Sequence, residues 1–393
     1  SSKISSFFKE IIVGVYYMKF SITLSSISKQ LSEVASIACS APNKEDITQN
    51  ILINVTGNEL TFKATNYNIE LQTKIPVMDV VSEGETTVNA VKLKDTLANL
   101  DINSDVVFEL ANEKLIISNS SVSFEIRARS SKDFPSFEID NIVQSIVLKQ
   151  KQLKNIIDSS SFCVSNEDFR DYLKGVRFEL NGTKLEIFTS DGHRMAILET
   201  NLDNQEPTIA PFGAILTKRC ATQLSKILDD NGESEVTLSF TKNAVLTTCN
   251  NYSLVSKQII CGYPNVRTVI PRTIDTQLSI PRESFSNLIK QVSVLSSKRI
   301  NGVTFNFGNG KVDLRCENSE HEVATASLDL PDAQTPIEIS LNSQYVREVL
   351  NVLKSENVLF CFSQPMAQVM IKPDTEENEF GIKSSYIISK VVV

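Results

Sequence analysis

From Met18 onward, one arrangement of apolar and turn residues runs three times, with a period of about 120 to 130 residues. Each copy divides into two similar halves. Leu97, Leu224 and Leu350 hold the same place in the second halves, 127 and 126 residues apart. A chain repeated in this way must build one supersecondary unit several times over.

The first half of each copy opens with a short strand (residues 19–24, 145–148 and 277–280) and an amphipathic helix. The apolar faces of those helices are Ile27, Leu31, Val34 and Ala38, then Leu153, Ile156 and Ile157, then Phe285, Leu288, Ile289, Val292 and Leu295. Spacings of three, four and seven mark a helix with one buried stripe. Each helix leads into a hairpin: 51–55 with 60–64, 175–180 with 185–189, and 302–307 with 312–316, with a turn glycine in corresponding places.

The second halves repeat the plan. Their helix stripes are Leu93, Leu97 and Leu100; Leu224, Ile227 and Leu228; and Val346, Val349, Leu350 and Leu353. Strand pairs follow at 106–110 with 114–118, 235–240 with 244–248, and 357–362 with 368–372. The chain therefore reads as six β-α-β-β-β half-units paired into three α+β domains, 18–140, 141–273 and 274–393, behind an N-terminal extension, 1–17. Polar residues near Asp140-Asn141 and at 271–276 form the linkers. No G-x-G-x-x-G or P-loop signature points to a doubly wound parallel sheet.

Composition narrows the function. The seven cysteines are scattered and form no C-x-x-C pair, and the two histidines, His193 and His321, provide no metal centre, so no cofactor or metal is expected. The cysteines read as reduced thiols of a cytoplasmic protein. No apolar run approaches the roughly 20 residues that cross a bilayer. The net charge of −8 and pI near 5.1 argue, as averages, against nucleic acid. Distribution reverses that argument: the six helical windows together carry +7, leaving −15 on the remainder. Lys151, Lys154, Arg282 and Lys290 lie off the apolar stripes, where they form either a solvated helix surface or a face toward a polyanion.

One turn draws attention, Ser190-Asp191-Gly192-His193-Arg194-Met195, between strands 184–189 and 196–199. Asp191 and His193 suit either a proton-relay pair or a tight turn beside a pocket. Proton chemistry needs a third placed group, and no nucleophile motif, metal cluster or phosphate loop supplies one.

The run Phe162-Cys163-Val164-Ser165-Asn166-Glu167-Asp168-Phe169-Arg170-Asp171-Tyr172-Leu173-Lys174-Gly175-Val176, with that turn and Ala196, resembles the central domain of the bacterial sliding clamps, the beta subunits of DNA polymerase III. Met18-Lys19-Phe20 resembles the family's start. Asp133-Phe134-Pro135 and Gly262-Tyr263-Pro264 resemble its domain-end motifs. The resemblance covers residues 18–393 and implies three tandem DNA-clamp domains, with two chains closing head to tail into a six-domain ring. It implies a non-catalytic processivity factor that encircles duplex DNA without reading its sequence.

By position, the resemblance implies a peptide groove between the second and third domains. Its walls would be Leu173, Ser190, Gly192, His193, Arg194 and Met195, then Pro264, Val269, Asn342 and Tyr345, and the terminal run Ile387, Ile388, Val391, Val392 and Val393. Arg194 and Asn342 would supply donors; Leu173, Pro264, Val269 and Ile387 would bury a ligand's apolar side chains. Occupants would be short peptides of the polymerase alpha subunit, the clamp loader, repair polymerases, and ligase or mismatch-repair proteins.

DNA would face Lys44, Lys151, Lys154, Asn166, Arg170 and Tyr172, together with Lys218, Arg219, Arg282 and Lys290. Phe124 would meet Val294 and Leu295 across the homodimer contact. The chain departs from the family in its valine tail, in Thr268 where arginine is common, and in the acidic Glu167 and Asp171. The other reading is a monomeric peptide-binding scaffold without ring closure. It would favour charge at positions 124, 294 or 295, and all three are apolar.

Overall fold

Apolar residues every second position make strands, and those at three-and-four spacing make helices; both periods recur through the computed structural model, which describes residues 18–38, 46–202, 205–297 and 300–393. The extension 1–17, Lys44 and Cys39 lie outside the described residues.

The first copy holds β1 (Met18–Thr23), α1 (Ser28–Ala38), β2 (Asn50–Thr56), β3 (Glu59–Thr65) and β4 (Ile69–Pro76), then a short added strand, β5 (Asp79–Ser82). Its second half is β6 (Gly84–Asn89), α2 (Ala90–Ala98), β7 (Asp105–Ala111), β8 (Lys114–Ser118) and β9 (Ser123–Arg129). The second copy holds β10 (Gln144–Lys149), α3 (Gln150–Ser160), β11 (Gly175–Asn181), β12 (Lys184–Ser190) and β13 (Arg194–Asn201). After it come β14 (Phe212–Thr217), α4 (Lys218–Ile227), β15 (Glu235–Phe240), β16 (Ala244–Cys249) and β17 (Tyr252–Lys257). The third copy holds β18 (Thr276–Pro281), α5 (Arg282–Val292), β19 (Gly302–Gly308), β20 (Lys311–Glu317) and β21 (Val323–Asp329). It ends with β22 (Ile337–Asn342), α6 (Ser343–Val352), β23 (Asn357–Phe362), β24 (Gln368–Pro373) and β25 (Lys383–Ser389). The expected β-α-β-β-β order holds in all six half-units, with β5 as the one addition among the described residues.

Within a copy, the halves exchange strands. The first strand of each half pairs with the second strand of the other, as in β1 with β7 (Phe20 opposite Phe108) and β6 with β2 (Val88 opposite Ile51). In the third copy, β18 pairs with β23 and β22 with β19. The Phe20 and Phe108 rings stack 4.9 Å apart in the first core. Helices cover the sheets in pairs, α1 against α2, α3 against α4 and α5 against α6. They bury the stripes expected for them, except that Leu288, Leu100 and Leu295 stay half-buried, and Leu100 and Leu295 lie beyond the ends of α2 and α5.

Sheets also join strands of different copies. The chain forms two compact units, one of residues up to Ser145 with Val236–Lys257, the other of Ile146–Glu235 with Gln258–Val393. In the first unit, β17 pairs with β4 (Leu254 opposite Leu71), within the order β15-β16-β17-β4-β3-β2-β6-β9-β8-β7-β1-β5. In the second unit, β13 pairs with β25 within the order β14-β11-β12-β13-β25-β24-β23-β18, beside a separate sheet β21-β20-β19-β22. Of the described cysteines, all are free thiols, and Cys261 alone is exposed. Among the described residues, no helix is long and apolar enough to cross a membrane.

Candidate peptide groove and DNA face

Residues 191–193 link β12 to β13 in the second unit. Asp191 Oδ1 accepts the backbone N–H groups of His193 (2.9 Å) and Arg194 (3.0 Å), which closes an Asx turn. Ser190 Oγ donates to the Arg194 carbonyl (2.7 Å) and accepts from Gly192 N–H (3.1 Å). Gly192 sits at φ +89, and a Cβ there would stand 2.6 Å from Arg170 Nη2, so only glycine fits. The Asp191 carboxylate is thus engaged by the turn and by Arg194 Nε (3.0 Å) rather than by the exposed His193 ring, and a proton relay finds no support.

Arg194, expected to supply donors to a ligand, is bound within the chain. Its side chain is 8% exposed; Nη1 bonds Glu348, Nη2 donates to the Phe162 carbonyl (2.8 Å), and the guanidinium lies 4.2 Å from the Tyr345 ring centre. Through three of its five donors it fastens the turn to α6 and to the run that follows α3. Asn342 is engaged likewise: Oδ1 caps α6 by accepting from Gln344 N–H (3.0 Å) and Tyr345 N–H (3.2 Å), and Nδ2 donates to the Ile300 carbonyl (3.0 Å). Both residues are thus engaged within the chain. Cys163 is buried in the same cluster, and that desolvation pushes its thiol well above the ordinary range.

Beside the turn lies an apolar patch. Phe188 from β12, Met195 from β13, Ile387 from β25, Met370 from β24, Cys361 from β23 and Val266 cluster together, with Ile197, Tyr263, Ile270 and Leu359 at the margin. Leu173 and Ile387, expected to receive a ligand, are 5% and 4% exposed; Ile387 is held opposite Met195 and Met370 by strand pairing and packs into the patch itself. Pro264 and Val269 stand exposed on the loop that borders the patch. Ile388 is buried, Val391 is half-buried, and Val392 and Val393 are exposed. Sequence reasoning passed over Phe188. The signal was present, because Leu185, Ile187 and Thr189 alternate toward the core, which leaves Phe188 apolar on the Lys184 and Glu186 side. Arg267 lies over the Phe188 ring, 4.9 Å from its centre, and pairs with Glu179 (2.8 Å) and Glu186 (2.6 Å).

Two residues expected to face DNA stand by this groove. Arg170 abuts Gly192 and forms a two-point pair with Asp168 (2.9 and 2.8 Å), whose carboxyl is drawn down to about 2, chiefly by Arg170's side-chain hydrogen bond. Tyr172 meets Tyr263 edge-on, 6.0 Å between ring centres.

The other cations are largely committed within the chain. Lys151 pairs with Glu233, Lys154 with Asp158 (3.6 Å) and Asp230 (3.5 Å), and Lys218 donates to Val164 O (3.1 Å) and Asn166 Oδ1 (2.7 Å). Burial depresses the pKa of Lys218 and Arg219. Arg282 donates to Ser355 O (2.8 Å) at the end of its helix pair, whereas Lys290 and Asn166 are exposed. Phe124 is half-buried on β9; Val294 is 78% exposed and Leu295 half-buried after α5.

Comparison with known proteins gives a consistent pattern. Models of the N-terminal, central and C-terminal domains of the DNA polymerase III beta subunit match residues 18–138, 147–265 and 267–381 in turn. The beta sliding clamp of Proteus mirabilis is 27% identical, over 94% of this chain and 99% of its own length. That of Vibrio cholerae is 27% identical, over 90% and 96%. A Pseudomonas aeruginosa sliding clamp bound to griselimycin superimposes with a TM-score of 0.88 at 24% identity, covering 96% of this chain and all of that one. A Bartonella birtlesii clamp bound to griselimycin gives 0.87 at 24%, with the same coverage.

Proposed function

Because the chain belongs to the DNA polymerase III beta-subunit family, the bacterial sliding clamps, we propose that two copies close head to tail around duplex DNA and carry a peptide groove beside the 190–195 turn. The protein is a DNA sliding clamp, a non-catalytic processivity factor. The observation that carries this is the register between the three family-model matches and the three copies, each built of two β-α-β-β-β halves.

Three domains, 18–140, 141–273 and 274–393, would give the ring six domains and twelve helices around the DNA. The open edge of β21, which ends its sheet among the described residues, supports pairing with a second copy. Apolar Val294, 78% exposed, suits the same contact with Phe124. Exposed Lys290 would meet phosphates, whose contacts weaken steeply with salt.

Exposed Pro264 and Val269, backed by the buried Phe188 and Met195 cluster, would offer a firm apolar border to the anchors of an extended peptide. Occupants would come from the polymerase alpha subunit, the clamp loader, repair polymerases, and ligase or mismatch-repair proteins, in the cytoplasm. Two clamps of like fold are bound to griselimycin, and we take that compound as the probe of the proposed groove.

The test is retention on DNA. Light scattering across a dilution series should give twice the 43.7 kDa chain mass, and nicked circular DNA should retain the protein where linear DNA releases it. A monomer at every concentration would overturn ring closure and leave the peptide scaffold.

A further inference from the structure

Past β25 the chain is held by successive backbone bonds. Ser389 N–H donates to the His193 carbonyl (2.9 Å), Lys390 N–H to Ala367 (2.9 Å) and Val391 N–H to Ser340 (2.8 Å). Two residues on, the Val393 side chain rests on Gly302 at the start of β19. A Cβ on Gly302 would stand 2.1 Å from Val393 Cγ1, far inside contact distance, yet 3.5 Å from Val393 Cβ and 3.4 Å from Ile300 Cγ2. Gly302 has an ordinary strand position, opposite Asn342 in the β19–β22 ladder. The space left by the missing Cβ is the space that Val393 Cγ1 fills, with Val393 itself 65% exposed.

The ladder links that seat to the groove. Asn342 caps α6 and orders Tyr345, whose ring lies under Arg194, while Ser389 is bonded to the turn itself. A tail seated on Gly302 runs from the turn to the start of α6 and presents Val391 and Val392 along the way.

We propose that Gly302 is a positioning residue for peptide binding: it receives Val393, and so fixes the tail as a preformed wall of the groove. The inference rests on the groove reading. Ordering the wall in advance spares a ligand the cost of ordering it on binding, which is where affinity is gained without new contacts. An added methyl in a filled space forces the neighbour out. Gly302→Ala therefore forces the Val393 side chain off this seat, and the proposal requires the strain to reach the Val391 bond. Val393→Ala removes the clashing methyls and leaves room for the alanine at position 302.

The test is a double-mutant cycle in the full chain, read by calorimetric binding of griselimycin and by hydrogen exchange at the Val391 amide. Gly302→Ala is expected to weaken griselimycin about tenfold and to expose the Val391 amide, with the thermal midpoint within about 2 °C of the parent's. Val393→Ala is expected to weaken it about threefold, and the double variant to return to that level rather than fall further. Gly302→Ala that frees the Val391 amide but binds griselimycin as the parent does would overturn the inference. So would additive losses in the double variant. Failure of the unaltered chain to bind griselimycin, with its Val391 amide protected, would instead remove the groove reading beneath it.

Discussion

The turn between β3 and β4 and the turn between β12 and β13 are built by the same hydrogen bonds. In the first copy, Asn66 Oδ1 accepts from Asn68 N–H (3.2 Å) and Ile69 N–H (3.1 Å), Thr65 Oγ donates to the Ile69 carbonyl (3.1 Å) and Tyr67 N–H donates to Thr65 Oγ (3.3 Å). In the second copy, Asp191, Arg194, Ser190 and Gly192 take those places. The residues on the face of the sheet that carries Lys63 and Phe188 then diverge, and there Phe188 is fully buried and Met195 8% exposed. Lys63 stands opposite Gln72 and pairs with Glu70 (3.1 Å), where the second copy has Phe188 opposite Ile197 and Met195 opposite Ser190. One scaffold thus carries an ion pair in one copy and an apolar patch in the other. The turn comes with the fold; the apolar cluster beside it comes from three side chains, Phe188, Met195 and Ile197.

The contrast can be broken most forcefully at its centre. Phe188→Ala should cost about 4 kcal/mol by leaving a void, and Lys63→Ala, which leaves the nearly buried Glu70 without its cation, about 3 kcal/mol. Urea denaturation measures both; adding Glu70→Gln should recover most of the second loss, and no recovery would deny that the first copy carries an ion pair there. Arg194→Ile installs the first copy's residue and strands Asp191 and Glu348 without their cation. We expect a loss of about 3 kcal/mol in the same assay and of about a hundredfold in griselimycin binding by calorimetry.

Gly192→Ala forces a side chain to positive φ and against Arg170, at about 1–2 kcal/mol. It should also loosen the Asp168 pair. That carboxyl, held at about 2 by Arg170 against an ordinary 3.8, should then titrate higher in a carboxyl NMR experiment. The pair's contribution is present above the ordinary aspartate range and disappears as pH falls through about 2. Tyr67→Gly should change stability by less than about 1 kcal/mol, because relief at φ 66 is offset by a freer unfolded chain. A large effect would mean that the first turn, too, carries a fixed load.

The repeat made the architecture legible, because strand and helix periods leave their mark on every half-unit. The second turn could be read from Asp191-Gly192, yet its counterpart Asn66 escaped notice although each lies nine residues beyond a hairpin glycine, Gly57 and Gly182. Tyr67 hid it, since an aromatic residue at positive φ gives no sequence signal. The border of the apolar cluster was legible in exposed Pro264 and Val269. Its interior was not: whether Arg194 serves a ligand or the chain depends on Glu348, Phe162 and Tyr345, which lie 154, 32 and 151 positions away and meet only in the folded protein. The helix cations mislead for the same reason, since Glu233 and Asp230 approach Lys151 and Lys154 from another helix–strand connection.

The pairing of β17 with β4 also bears on how the chain is made. The first compact unit needs Val236–Lys257, so Ile146–Glu235 emerges from the ribosome while that unit still lacks three strands. At about 5–20 residues per second, this interval lasts roughly 5 to 20 s. During it the β4 edge waits uncovered, and a nascent clamp is then most exposed to pairing with the wrong chain.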